Sequence, residues 1–233
     1  FDAQMSLVKA FHLPASDIGR TKAQLSAKIL GAVYRDHNDE FELQLPETLR
    51  IEKYTEVLNW YKNPLNRDYS KTLEIDIAGV PHVFAWGGLH GAIPQYFGEG
   101  SFINVDVASY YPSLMLVYKW LSRNVADPGK YAEIYHTRLK LKAEKNPMQQ
   151  PYKIVLNSTY GAMKDRHNAM YDPRQANNVC VGGQLLLLDL IERLEDHCDI
   201  IQSNTDGILV KLRHDDDFEL IDDICWEWEK RTG

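Results

Sequence analysis

Alternating apolar and polar residues predict the first strands of the chain. In residues 72–92, Leu73, Ile75 and Ile77 alternate with polar residues. Gly79 then indicates a turn, and "PHVFAWGG" (81–88) predicts a returning strand. This part of the chain is therefore expected to form an antiparallel pair of strands.

Two further strand regions lie next to acidic residues. "SFINVDV" (101–107) ends around Asp106, and "IIQSNTDGILVKL" (200–212) places Asp206-Gly207 between two apolar runs. An Asp-Gly pair between strands predicts a tight hairpin in which both turn residues have positive φ. Asp206 is then either part of a surface turn or half of a metal site at the hairpin tip, and the pattern alone leaves both open.

A period of 3.6 residues predicts the helices. They cover residues 46–63 with Pro46 near the start, 113–121, 128–146, 148–161 with Gly161 as the C-terminal stop, 172–197 and 215–231. Ser16 and Asp17 are candidate caps of one more short helix. The order of these elements predicts an α+β fold: one antiparallel sheet flanked by helices, with an inserted antiparallel helical hairpin.

Composition and charge narrow the class of protein. The 233 residues are 44% hydrophobic and 25% charged, which is ordinary for a folded globular protein. The net charge of −7 argues against a general polyanion-binding surface, but residues 119–170 carry ten basic and four acidic residues, which indicates a local anion site. Three widely spaced cysteines form no zinc pattern and fit a reducing compartment, and no apolar run has the length of a membrane span.

Three separate stretches carry residues suited to phosphate chemistry. Asp106 ends an apolar strand, where a carboxylate either holds a metal at the sheet edge or caps the following helix. Lys153, Asn157 and Tyr160 are spaced i, i+4 and i+7, so they share one helix face, which suits a triphosphate, sugar and base or is simply solvated. Asp106 and Asp206 on neighbouring strands would repel each other unless they bind a proton or cations. Two metal ions bound there could clamp the attacking and leaving oxygens of a phosphoryl-transfer reaction.

These stretches, in this order, resemble motifs A, B and C of family B DNA polymerases. "DVASYYPS" (106–113), "KIVLNSTYG" (153–161) and "NTDG" (204–207) stand against the family patterns DxxSLYPS, KxxxNSxYG and DTDS, and the second matches at every fixed position. "GGLHG" before the first motif resembles the YxGG segment of protein-primed phage enzymes, although its Tyr falls on Ala85. The resemblance covers residues 72–212 and implies a phage or prophage enzyme.

The resemblance implies roles for individual residues. Asp106 and Asp206 become the catalytic, metal-binding pair, and the Val107 carbonyl becomes a further ligand of two Mg²⁺ ions, for which Mn²⁺ can substitute. The implied nucleotide-binding residues are Ser109, Tyr110, Tyr111 (the steric gate against a 2′-OH), Arg138, Lys142, Lys153, Asn157 and Tyr160. The implied DNA-binding residues are Gly87, Gly88, Ser158, Gly161 and Lys164. For Arg138 and Lys142 a solvated charge face is the alternative, with Lys140 and Lys145 as substitutes in the role.

Two departures from the family pattern are informative. Tyr110 replaces a leucine, which is a tolerable hydrophobic change, and Asn204 replaces the first aspartate of DTDS. The second aspartate, which is the main ligand in the family, is present as Asp206. Asn204 removes one charge from an anionic site and so leaves activity open, whereas Gly207 in place of serine suits the predicted turn.

The resemblance also implies a domain plan. Residues 1–70 would form an N-terminal connector, 71–117 the first part of the palm, 118–172 the fingers and 173–233 the second part of the palm. Both ends of the sequence look cut, so we expect a longer parent polypeptide that carries the exonuclease and thumb domains missing here. Alone, the chain is expected to have very weak activity or none.

The leading hypothesis is template-directed DNA polymerisation in the cytoplasm of a bacterial host, with primer-template DNA and dNTPs as partners and no membrane. One alternative is a polymerase relic that binds DNA or nucleotide without catalysis. The other is an unrelated palm-type nucleotidyltransferase such as a cyclase. The KxxxNSxYG helix argues against the cyclase, because a cyclase aligns neither template nor primer.

Overall fold

A computed structural model describes all residues from 1 to 233, and it confirms the α+β class. The helices are α1 (Asp2–Ala10), α2 (Lys22–Ile29), α3 (Thr55–Lys62), α4 (Tyr110–Val117), α5 (Pro128–Ala143), α6 (Gln149–Lys164), α7 (Pro173–Leu194) and α8 (Phe218–Thr232). The strands are β1 (Leu73–Ile77), β2 (Val80–Phe84), β3 (His90–Ala92), β4 (Phe102–Asp106), β5 (Cys198–Ser203) and β6 (Gly207–Leu212). No helix combines the length and apolar character that crossing a membrane requires.

All six strands form one antiparallel sheet in the order β1-β2-β3-β5-β6-β4. The two predicted hairpins, β1–β2 and β5–β6, are confirmed. Strand β4 returns to pair with β6 at the edge of the sheet, although 100 residues separate Asp106 from Asp206 in the sequence. The pairing of β5 with β6 shifts by one residue at Ile201, the fourth residue of β5, which is a β-bulge.

The chain divides into two compact units. The first comprises residues 1–43 and 111–176, and the second comprises residues 44–110 and 177–233. In the first unit α6 packs against α1, α2 and α5, so the predicted antiparallel pair α5–α6 is confirmed and is joined by the N-terminal helices. The second unit comprises the whole sheet, α3, α8 and most of α7.

The core of the second unit is built from α7, α8 and one face of the sheet. Residues 185–188 of α7 are completely buried leucines, as the apolar run in the sequence predicts. Ile77, Phe84 and Ile208 are completely buried sheet residues. The indole N–H of Trp228 in α8 donates to the carbonyl of Leu186 at 3.0 Å, so the aromatic side chain is held in the core at both its apolar and polar ends.

The predicted helix over residues 46–63 is wrong in its first half, because only α3 is helical. Before α3, the backbone N–H groups of residues 52, 53 and 54 donate to the carboxylate of Glu192 at 3.0, 2.9 and 2.8 Å. The N–H of Arg50 donates to Asp189 at 2.7 Å. Two carboxylates of α7 thus take the amide groups that a longer helix would need. Apolar periodicity does not reveal such distant partners.

The prediction that Ser16 or Asp17 caps a helix is also wrong. Residues 15–19 form a 3₁₀ turn, and α2 is capped by Thr21, whose hydroxyl accepts from the N–H of Gln24 at 3.1 Å. The Gln24 side chain in turn accepts from the N–H of Thr21, which completes a capping box. Asp17 is buried and pairs with Arg20 and Lys28 instead.

An ion cluster around Arg123 ties three segments of the first unit together. The Arg123 guanidinium donates to both carboxylate oxygens of Asp39 at 2.7 and 2.8 Å and to the fully buried Asp172 at 2.8 and 3.0 Å. The hydrogen bonds from Arg123 lower the pKa of Asp39 to about 2. The charged form of Asp39 is therefore stabilised by its ion pair with Arg123, which lies 84 residues away in the sequence.

Replacing Asp39 with asparagine should destabilise the chain at neutral pH. Because the folded pKa of Asp39 lies below its unfolded value, its stabilisation is complete above about pH 4 and is lost as the pH falls towards 2. We expect Asp39→Asn to lower the free energy of unfolding by about 1–2 kcal/mol at pH 7, after allowance for solvent screening, and by progressively less below pH 4. Urea unfolding at pH 7, 4 and 2.5 measures this. Glu133→Gln, at an exposed site on α5, is the control, and an equal loss at all three pH values would contradict the account.

Candidate active site

The loop that carries Asp206 is not the tight Asp-Gly turn predicted from sequence. Strands β5 and β6 are joined by three residues, 204–206, and neither Asp206 nor Gly207 has positive φ. The Asn204 side-chain oxygen accepts from the N–H of Asp206 at 3.2 Å, and the Asn204 N–H donates to the carbonyl of Gly207 at 2.9 Å. Asn204 therefore closes the loop through its own side chain, as asparagine commonly does in turns.

Gly207 is glycine because of a close approach. It begins β6 and pairs with Asp106 across the edge of the sheet. A Cβ atom on Gly207 would stand 2.4 Å from the Oδ1 of Asp106 and 3.0 Å from the carbonyl oxygen of Val105. The Asp106 carboxylate thus occupies the space that a side chain at position 207 would fill.

Asp106 is held by its neighbours on the edge strand. The Asn104 amide donates to Oδ2 of Asp106 at 2.7 Å, so one carboxylate oxygen faces Asn104 and the other faces Gly207. The N–H of Val107 donates to the carbonyl of Asp206 at 2.9 Å. This bond fixes the backbone after Asp106 to the backbone of Asp206. The two aspartates therefore lie at the same end of neighbouring strands, and both are exposed.

The donor chemistry of this strand end suits a hard divalent cation. Mg²⁺ takes oxygen ligands, typically one or two carboxylates, and fills its remaining positions with water and substrate phosphate. Asp106 and Asp206 are two exposed carboxylates on adjoining backbone, and the chain contains no cluster of three or more His, Cys, Asp or Glu residues arranged to hold a metal. The residues present therefore fit an ion that shares its coordination with a substrate.

The backbone between Asp106 and α4 is sharply bent. Ser109 has φ 50°, a left-handed conformation that is uncommon for residues other than glycine and is often found at functional sites. Helix α4 begins at the next residue, three positions earlier than the sequence predicts. Tyr110 is buried, and its hydroxyl donates to the carbonyl of Gly183 in α7 at 2.6 Å. The Tyr110 side chain thus anchors the bend, and the nucleotide-binding roles expected of Ser109, Tyr110 and Tyr111 stay predictions.

The predicted nucleotide residues of the first unit lie along α6 and beside it. Asn157 is exposed, Lys153 and Tyr160 are partly exposed, and Val155, Leu156 and Thr159 on the other side are buried. The Tyr111 ring meets the Tyr160 ring edge to face with 4.6 Å between centroids. The Lys164 ammonium lies 5.4 Å from the centroid of the Tyr160 ring.

The remaining predicted residues of the first unit differ in exposure. Lys142 is exposed, whereas Arg138 is buried, with 8% of its surface exposed, and Ser158 is partly exposed. Gly161 does not end α6, which continues to Lys164, so the prediction of a glycine stop is wrong. Nothing lies within 4 Å of a Cβ built on Gly161. Their roles in binding remain predictions.

The two glycines predicted to contact DNA form a loop that touches the Asp206 loop. A Cβ atom on Gly88 would stand 2.2 Å from the hydroxyl oxygen of Thr205. The side-chain amide of Gln184 in α7 donates to the carbonyls of Gly87 at 2.6 Å and Ala85 at 2.8 Å. Residues 85–88 are thereby pinned between α7 and the hairpin tip, and their contact with DNA stays a prediction.

Sequence reasoning missed Asn104 and Gln184. Asn104 could have been found, because it precedes Asp106 by two residues on a predicted strand and must therefore share its face. Gln184 follows Gly183 in an apolar helical run. A buried side-chain amide in such a run must form hydrogen bonds, but the sequence does not identify the groups that accept or donate them.

Comparison with known proteins gives one short match. No protein-family model matches the chain. Over 33 residues, or 14% of the chain, the sequence is 52% identical to the DNA polymerase of Acidianus bottle-shaped virus (isolate Italy/Pozzuoli). The matched segment spans 5% of that polymerase. The chain is thus related over a short stretch to a viral DNA polymerase.

Gly207→Ala should disturb the carboxylate pair without unfolding the chain. The added Cβ would displace the Asp106 carboxylate or the edge strand, so we expect a stability loss of about 1–3 kcal/mol and at least a tenfold weaker binding of Mn²⁺. Calorimetric Mn²⁺ titration and thermal unfolding measure the two effects.

Gly161→Ala is the matched control, since its Cβ meets nothing and replaces glycine inside a helix. It should raise stability by about 0.5–1 kcal/mol and leave Mn²⁺ binding unchanged. Equal Mn²⁺ affinity in Gly207→Ala and the wild-type chain would show that the approach of Asp106 to position 207 does not shape a metal site.

Proposed function

We propose that the chain carries the catalytic centre of a template-directed DNA polymerase of family B, which transfers nucleotides from dNTPs to a primer 3′-hydroxyl. The observation that carries the proposal is the placement of Asp106 against Gly207, with Asp206 on the adjoining backbone. Three motifs in the order of the family and the short match to a viral DNA polymerase support it. In this assignment the second unit corresponds to the palm and helices α5 and α6 to the fingers.

Asp106 and Asp206 would hold two Mg²⁺ ions, with the Val107 carbonyl as a further ligand. The ions, when bound, activate the primer hydroxyl and neutralise charge on the attacking and leaving oxygens. The protein's part is to fix the two carboxylates before the ions arrive. The Asn104 amide restrains the Asp106 carboxylate, and the bond from the Val107 N–H to the Asp206 carbonyl restrains the backbone that carries the Asp206 side chain.

The remaining roles concern the incoming nucleotide. The bend at Ser109 and the N-terminal end of α4 would lie next to the triphosphate, because a helix N-terminus favours anions. Lys153 supplies positive charge for the phosphates, with Lys142 and Arg138 as further candidates. Tyr111 would lie under the sugar, where its ring excludes a 2′-hydroxyl, and its edge-to-face contact with Tyr160 holds that ring in place.

The inactive relic was suggested by Asn204, and the structure gives this residue another reason to be present. Its side chain accepts the N–H of Asp206 and so forms the loop, a role that either asparagine or aspartate can fill. Asparagine closes the loop without adding a third negative charge beside Asp106 and Asp206. Asn204 therefore does not favour the relic over an active enzyme.

Asp106→Asn and Asp206→Asn test the proposal. Each should reduce Mg²⁺-dependent templated primer extension by about a thousandfold, since metal stabilisation of the transition state is worth several kcal/mol. The assay uses the chain itself and any longer polypeptide that contains it. The melting temperature of each variant should stay at or slightly above that of the wild type, because removing one carboxylate relieves repulsion within the pair.

Asp216→Asn, at an exposed aspartate in the turn before α8, is the matched control and should extend primers normally. Near-normal extension by Asp206→Asn would refute the assignment of the catalytic pair. Binding of primer-template or dNTP by a wild-type polypeptide that extends no primer would establish the relic instead.

A further inference from the structure

A buried polar row crosses the sheet behind the Asp206 loop. His82 of β2 pairs with Gly91 of β3, and Gly91 pairs with Ser203 of β5. His82 and Ser203 are thus two strands apart, about 10 Å in backbone distance. Nevertheless the Nε2 atom of His82 lies 2.5 Å from the hydroxyl oxygen of Ser203. The imidazole bridges an entire strand to reach it.

Gly91 makes this bridge possible. A Cβ atom on Gly91 would stand 2.3 Å from the Cδ2 atom of His82, so the ring lies directly over the glycine. Any side chain at position 91 would push the imidazole away from Ser203. His82 and Ser203 are both almost completely buried, at 1% and 2% exposure.

The hydrogen bonds define the state of the imidazole. The Nδ1 atom of His82 lies 2.8 Å from the carbonyl of Val80, which can only accept, so Nδ1 carries the proton. In the neutral ring Nε2 is then an acceptor, and the Ser203 hydroxyl donates to it. Burial lowers the pKa of His82, which favours this neutral form. Both polar ends of the ring are satisfied inside the sheet.

Ser203 is the last residue of β5 and precedes Asn204, whose side chain closes the Asp206 loop. Burying a polar pair costs desolvation free energy that an apolar pair of similar size would not. The pair is therefore expected to contribute something that an apolar pair could not, such as a fixed backbone position. The pair fixes the backbone at the point where β5 leaves the sheet. Thr205, packed against Gly88, is the second support of the same loop.

We propose that His82 is a positioning residue for the metal-binding loop: through Ser203 it sets the exit of β5 and so holds Asp206 beside Asp106. The role in metal binding rests on the proposed function, whereas the role in ordering the loop does not. His82 touches neither substrate nor metal in this proposal. Its effect reaches the site through Ser203 and Asn204.

The test compares His82→Leu, His82→Gln and Ser203→Ala in the full 233-residue chain. Leucine fills the space without a polar group, whereas the glutamine side-chain oxygen can accept from Ser203 near the position of Nε2. Amide hydrogen exchange at Asn204, whose N–H donates to Gly207, reports on the loop without requiring metal or activity. Mn²⁺ titration reports on the carboxylate pair, and exchange at Val210 in the middle of β6 reports on the stability of the sheet.

His82→Leu and Ser203→Ala should each speed exchange at Asn204 by about tenfold relative to Val210 and weaken Mn²⁺ binding by about tenfold. The double variant should be no worse than either single one, because the two residues act through one hydrogen bond. His82→Gln should restore most of both properties, which a general loss of packing would not explain.

Unchanged exchange at Asn204 in His82→Leu and Ser203→Ala, relative to Val210, overturns the proposal whatever happens to Mn²⁺. Additive losses in the double variant also overturn it. If the wild-type chain binds no Mn²⁺, the proposed metal site fails, and the exchange data still decide whether His82 orders the loop. The two failures are therefore distinguishable.

Discussion

The contact of the Asp106 carboxylate with the bare backbone of Gly207 is the constraint on which the site depends. It exists only because β4 lies at the sheet edge in register with the first residue of β6 and because position 207 has no side chain. A one-residue slip of β4 would turn Asp106 to the opposite face and separate it from Asp206. The position of Oδ1 of Asp106 thus links the register of β4 and β6 to the proposed metal site.

The supports of this contact come from distant parts of the second unit. Asn104 holds Asp106 from its own strand, while the row His82–Gly91–Ser203 and the Gly88–Thr205 contact hold the loop from β2, β3 and the segment between them. Residues 85–88 are in turn fixed by Gln184 of α7. Two of these supports are glycines at which a Cβ would collide with a side chain that orders the site. Asp206 is exposed, but His82 and Ser203, which hold the start of its loop, are buried.

Local patterns predicted much of this fold, and each error has a physical cause. Period and alternation identified the strands β1, β2 and β4 and the helices α5 and α7, because these depend on residues close in sequence. The partnership of Asp106 with the hairpin spans 100 residues and was expected from the order of the motifs. The long helix before Thr55 was wrong because distant carboxylates of α7 accept from its amide groups. The Asp-Gly turn was wrong because the Asn204 side chain closes the loop, and the cap at Asp17 was wrong because Asp17 is buried in ion pairs with Arg20 and Lys28. Gly207 was correctly singled out, but for turn geometry. Its real constraint is the carboxylate of Asp106, which lies 101 positions earlier in the sequence and pairs with it across the sheet. A residue pair such as His82 and Ser203, 121 positions apart, has no signal in a single sequence.

The most direct test of the central claim is to locate Mn²⁺ by its anomalous scattering in crystals of the chain. We predict at least one ion within about 2.0–2.3 Å of carboxylate oxygens from both Asp106 and Asp206, with the loop conformation of Asn204 unchanged. An ion bound by one of the two aspartates alone, or ions only at other acidic residues such as those of α8, would contradict the claim that the Asp106–Gly207 contact builds a shared metal site.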